Sequence, residues 1–215
     1  MDNTIINMLR IIILFFISYL SIYSSCSKRV NCKDIVYSFE TNITAYPDLD
    51  SLNINDTIWL DFSCSTRLRD VITGTWIDYS DAENFGTAIN FHEFKGGSFS
   101  DPGVIAAVSA FEYKLIYGVF LPDNHLPEQN RDYKFMEVGN EYRFKLAIIP
   151  KRKGNFSVSP GNAANVYTKQ NKCDKAGFSI TFANTNQHLY LYEQNRPGYT
   201  PSEYERTHMY CFKVK

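Results

Sequence analysis

Much that would identify an enzyme or a nucleic-acid binder is missing from this 215-residue sequence. Its formal net charge is −1 and its 22 basic residues are dispersed, so no electrostatic footprint for nucleic acid exists. The four histidines, His92, His125, His188 and His208, are scattered, and no two stand at metal-ligand spacing. None of the five cysteines forms a C-x-x-C pair, which excludes a zinc ribbon and a thioredoxin-like site. There is no G-x-S-x-G elbow, no phosphate-cradling glycine loop and no H-E-x-x-H helix. No catalytic residue, metal or cofactor is therefore expected. Long apolar runs are missing too: the main one, Ile11 to Ile22, is twelve residues where a membrane-spanning helix needs roughly 20.

What is present is aromatic and alternating. Fifteen Tyr and sixteen Phe favour pleated, half-buried surfaces. Ile35, Tyr37 and Phe39 share one face of a first candidate strand, and Ile58, Leu60 and Phe62 share one face of a second. Ile89 and Phe91 follow, and then the longest alternating run, with Phe111, Tyr113, Leu115, Tyr117 and Val119 on one side. Tyr142, Phe144, Leu146 and Ile148 alternate up to a polar turn at 150–155, after which Phe156 and Val158 resume. That pattern predicts a β-hairpin with a basic tip, Lys151 to Lys153. Phe178, Ile180 and Phe182, and finally Tyr210, Phe212 and Val214, restart the period of two; 162–171 reads as a helical turn or loop, and 186–195 as a short helix or crossover.

Eight or nine strands with little helical pattern predict an all-β fold, a two-sheet antiparallel β-sandwich with one short helix near the C-terminus. The polar segment 122–132, with Pro122 and Pro127, is a long loop of a single domain over 34–215; the alternative is a linker between two small β domains.

The N-terminus carries an address. The twelve-residue apolar run has the length of a signal-peptide core, and Tyr23 Ser24 Ser25 Cys26 closes it. The small residues before Cys26 read as a lipoprotein cleavage box, with 1–25 removed, Cys26 acylated and 26–33 a tether; plain secretion or a periplasmic location is the alternative. Lipid on Cys26 leaves Cys32, Cys64, Cys173 and Cys211, for which three full pairings exist. Cys173–Cys211 is the pairing favoured here, because the strands they flank could be neighbours; free buried thiols are the other reading.

The Ser24 Ser25 Cys26 box, the phrase from Asp50 to Leu60 and the ending Cys211 Phe212 Lys213 Val214 Lys215 together resemble uncharacterised outer-membrane lipoproteins of Bacteroidota with Ig-like or related β-sandwich domains. The resemblance implies a cell-envelope protein held on the outer membrane, and it brings no catalytic residues. Outward-facing members often carry an acidic tag after the cysteine, which Ser27 to Asn31 lacks, so the facing stays open.

Functionally these patterns point to a non-catalytic binding or assembly module whose partners are the membrane, through the lipid, and a polysaccharide or envelope protein. The C-terminal tyrosines offer the expected contact surface, with Tyr199, Tyr204 and Arg196 as its residues. Asp48 with Asp50, and Asp78 with Asp81, read as turn residues. The alternative function is a glycan hydrolase whose carboxylates come from loops distant in sequence.

Overall fold

The computed structural model of the chain describes residues 35–96, 103–122, 126–196, 198 and 200–215. The signal segment, Cys26, the tether and Tyr199 lie outside the described residues. From the start of the described chain run β1 (Ile35–Tyr46), β2 (Ser51–Leu52), β3 (Ile58–Ser65), β4 (Arg67–Arg69), β5 (Trp76–Asp78) and β6 (Ala82–Glu83). Next come β7 (Gly86–Phe94), β8 (Val104–Ala106), β9 (Phe111–Tyr117), β10 (Val119–Leu121), β11 (Asn130–Lys134) and β12 (Met136–Val138). The last part holds β13 (Glu141–Pro150), β14 (Gly154–Pro160), β15 (Ala163–Thr168), β16 (Asp174–Phe182), the short helices α1 (Tyr190–Asn195) and α2 (Glu203–His208), and β17 (Tyr210–Val214).

The strands form an eight-stranded sheet ordered β12-β13-β3-β1-β16-β15-β6, with β9 also on β13, and a seven-stranded sheet ordered β10-β11-β7-β14-β17-β2, with β8 also on β7. A separate β4–β5 hairpin makes a two-stranded sheet. Alternation decides the faces: β1 buries Phe39, Thr41, Ile43 and Ala45 and leaves the residues between them exposed. Aromatic rings from the two sheets meet in the middle. Phe111 of β9 packs on Phe91, Phe156 and Phe212 of the other sheet, at 5.6, 4.9 and 6.0 Å between centroids. Each ring so buried contributes about 1.5–3 kcal/mol.

The all-β sandwich is the architecture expected, with more short strands, two short helices, and two parallel pairings, β1 with β16 and β17 with β2. Parallel pairing is open to β1 and β16 because Ile35 and its partner Asp174 are far apart in sequence, and no hairpin turn dictates their direction. The 162–171 segment is largely strand β15.

Two expectations need correction. The 142–158 hairpin does not form: β13 lies between β3 on one side and β9 with β12 on the other, while β14 pairs with β7 and β17 in the opposite sheet. Both edges of β13 are taken, so the turn becomes an arch between sheets. Its Arg152 reaches back to Glu93 with a two-pronged ion pair at 2.6 and 2.7 Å. The Cys173–Cys211 disulfide does not form either: β16, which begins just after Cys173, and β17, which holds Cys211, sit in different sheets. Cys211 is a free, buried thiol and Cys64 is also free, whereas Cys173 is disulfide-bonded.

Candidate functional site

The outer face of the seven-stranded sheet is covered around β7 and β17 and its β10 edge is bare. α1 lies over that outer face, where Phe94, Leu191, Tyr192, Met209 and Cys211 form a second small core, while α2 packs beside β16 of the eight-stranded sheet. The ring of Tyr192 meets Phe94 edge-on at 4.9 Å. A capping box, Ser202 with Glu205, starts α2. The segment is latched to the 46–50 turn by His188 on Asp48 at 3.0 Å and by a Tyr190–Asp50 hydrogen bond.

The bare end is β10. The ribbon of β9 and β10 begins as an edge of the eight-stranded sheet, on β13, and continues as the edge of the seven-stranded sheet, on β11. It crosses at Gly118, whose φ is +113°; a Cβ there would stand 3.0 Å from the Lys134 carbonyl oxygen and 3.1 Å from the Phe144 ring. Among the described residues, no strand pairs with the second side of β10.

Register places each β10 side chain. Phe120 opposes Tyr133 and stays 37% exposed, with the Arg131 guanidinium 4.1 Å from the Phe120 ring and 4.4 Å from the Tyr113 ring. Arg131 Nε also donates to the Tyr133 hydroxyl at 2.9 Å. Val119 opposes Lys134 and Leu121 opposes Asp132 on the outer face, where they remain 49% and 44% exposed. Ile116, Tyr117, Leu126, Met136 and Val138 add further exposed apolar surface on the ribbon or in neighbouring sequence.

Two clefts flank this edge, and Lys134 lines both. One, about 490 Å³, holds Val119, Met136, Asp81, Glu137 and Lys169. The other, about 500 Å³, holds Leu121, Asp132, Asn84 and Asn162 over a floor of Gly86 and Ala88. Gly86 is required: β7 and β11 approach so closely that a Cβ would stand 2.0 Å from the Tyr133 carbonyl oxygen.

The residues named from sequence are placed elsewhere. Tyr204 is exposed on α2 and stacks on His208 at 3.9 Å. Arg196 holds Tyr192 by a hydrogen bond and a cation–π contact at 5.0 Å, so it serves the helical cover. Asp81 and Glu137, distant in sequence, do meet: Glu137 accepts the Asp81 N–H at 2.8 Å, and the Asp81 carboxylate accepts Gln170 at 2.6 Å. No group of three or more metal-ligating side chains occurs among the described residues, and none of their helices is long and apolar enough to cross a membrane. The β10 edge escaped the sequence reading because Val119 continues the alternation of β9. Gly118, a glycine inside a strand pattern, was the signal for the break.

No protein-family model matches the chain, and no curated protein matches it. Among solved structures it is similar to the CupB6 tip adhesin from Pseudomonas aeruginosa at 16% identity and a TM-score of 0.23, over 71% of this chain and 42% of that one. The chain thus spans less than half of that protein, and a likeness this slight carries no functional argument.

Proposed function

We propose that the protein is a lipid-anchored, non-catalytic module of the bacterial cell envelope that binds a partner protein by accepting an extended strand along β10. The observation that carries this reading is an unpaired edge bearing Val119 and Leu121, with a cleft beside each. An exposed edge strand offers its free N–H and C=O groups to an incoming chain, and flanking cavities receive alternate side chains of that chain. A photo-crosslinking residue at position 119 is expected to give a discrete adduct in cells, and the same residue at position 204 none. No adduct at 119, or equal adducts at both, sinks the reading.

The anchor rests on the sequence around Cys26, and the cysteines supply a test. With Cys64 and Cys211 free, the remaining intrachain partners for the disulfide-bonded Cys173 are Cys26 and Cys32. A cysteine whose sulfur carries a diacylglyceryl thioether cannot join a disulfide, so the reading requires Cys32–Cys173. Non-reducing peptide mapping with fatty-acid labelling is expected to find that pair and label on Cys26; a Cys26–Cys173 peptide overturns the anchor.

A second reading, glycan hydrolysis, attaches to Asp81 and Glu137, which line one cleft from distant parts of the chain. Hydrolysis of a surface glycan that is abolished by Glu137→Gln would favour it over binding.

A further inference from the structure

The β4–β5 hairpin carries the most exposed apolar group of the described chain, and neither the strand-addition site nor the core uses it. Ile72 is 74% exposed and Trp76 60%, with Val71 exposed beside them. Leu68 and Ile77 oppose each other on the inward face, while Arg69 opposes Trp76 and Arg67 opposes Asp78 on the outward face. The tip is held rigidly. Asp70, itself buried, accepts the Ser38 N–H at 2.8 Å and the Thr73 N–H and hydroxyl at 2.9 and 2.6 Å. The N–H groups of Gly74 and Asp70 close the turn on Asp70 and Thr75 carbonyls, each at 2.8 Å.

A turn so fully satisfied in its backbone does not need apolar side chains in solvent to stay folded. It presents a valine, an isoleucine and an indole ahead of two arginines, and that is the composition of a membrane–water interface: apolar groups enter the acyl boundary, while the indole and guanidinium groups sit at the headgroups. The small cleft beside the tip, about 400 Å³, is lined by Glu40, Arg69, Asp70, Val71 and Gly74 and leaves Ile72 and Trp76 outside its lining.

The position of the finger agrees with this. Val71 N–H donates to the Ser38 carbonyl at 2.8 Å, so the tip is fastened to β1 three residues after the described chain begins at Ile35. Eight residues lie between Cys26 and Ile35, so the contour across those nine steps is roughly 30 Å at most. An acylated Cys26 therefore keeps this end of the domain, finger included, close to the bilayer.

We infer that the Val71–Ile72–Trp76 finger inserts into the interface of a phospholipid bilayer and sets the domain's orientation on it, an inference that rests on the lipid-anchor reading. Strand addition at β10 then takes place on a domain held in one orientation.

The experiment uses the full-length protein in phosphatidylcholine–phosphatidylglycerol vesicles. The sequence has two tryptophans, so Trp59→Phe leaves Trp76 as the reporter. On vesicles, Trp76 emission is expected to shift to the blue, to be quenched by lipids brominated in the upper acyl chain, and to lose its quenching by acrylamide. Ile72→Asp in the same background is expected to restore solvent-like emission while the protein still sediments with the vesicles. Trp76 that stays open to acrylamide and untouched by brominated lipid overturns the inference. Fatty-acid labelling of the same preparation separates the two readings. Label with unquenched Trp76 leaves the anchor standing and removes the finger. Quenched Trp76 without label supports the finger and removes the anchor.

Discussion

Two parts of the seven-stranded sheet treat the same problem in opposite ways. Around β7 and β17, residues of the 187–196 segment lie over the outer face, bury Phe94 and Cys211 and latch onto the 46–50 turn, and β2 pairs with the last strand. At the β10 end nothing comparable occurs among the described residues, and Val119 and Leu121 stand in solvent beside two clefts. A chain able to cover one part of the sheet with a helix is not short of means to cover the other. An unpaired apolar edge invites association with other chains, and proteins ordinarily blunt such edges with charge, proline or a covering element. The contrast teaches that covering surface is allotted: among the described residues one part of the sheet is covered and the β10 edge is left open, which is what the strand-addition proposal rests on.

The comparison breaks most severely at the covered end. Phe94→Ala removes the ring on which Tyr192 rests and is expected to cost about 4 kcal/mol, read as a lower urea midpoint. At the bare end the backbone is the sensitive part: Gly86→Ala forces β7 away from β11 and should cost about 3 kcal/mol while opening the cleft floor.

Next to Phe94 on β7, the buried Glu93 carboxylate is clamped by Arg152 and by Lys95 at 2.9 Å. Burial alone would push this carboxyl up, but the hydrogen bonds from Arg152 and Lys95 outweigh it and hold it below its usual value of 4.5. A depressed folded-state value means the stabilisation is present above pH 4.5 and is lost as pH falls through the lower, folded value. Arg152→Ala should therefore cost about 2 kcal/mol at neutral pH, less than a fully buried pair because Arg152 is partly solvated and Lys95 remains. Acid melts should show a flatter acid limb in that variant.

The smallest effect on stability is expected where the largest effect on binding lies. Val119→Lys with Leu121→Lys should change the urea midpoint by no more than about 0.5 kcal/mol and abolish the crosslinked adduct. A large loss of stability would mean that the edge belongs to the core after all. Thiol labelling sharpens the contrast further. Burial pushes the Cys211 thiol up strongly and the Cys64 thiol up to about 12, so native protein should resist iodoacetamide at both. Phe94→Ala should open Cys211 first.

Alternation made the faces legible: Phe39, Phe62, Phe91, Phe144, Phe178 and Phe212 are all buried as their period of two requires. The partners were not legible. The stretch 142–158 reads as a hairpin in sequence, yet its strands belong to different sheets, because β3, β9 and β12 occupy both sides of β13. The Ser202–Glu205 capping box that starts α2 is written in the sequence as S-x-x-E. The basic tip was visible as charge, but its partner Glu93 lies far away in sequence.

For this protein, then, the sequence marks the long strands and which of their side chains turn inward, since pleating ties side-chain direction to parity along the chain, while β15 and the short strands carry no such mark. Pairing carries no such local mark. Which strand lies beside which, and so which edge is left unpaired, depends on contacts between residues tens to more than a hundred positions apart, as Ile35 with Asp174 shows. The β10 edge and its clefts exist only as a consequence of those pairings, so the tertiary structure alone decided where an open edge stands among the described residues.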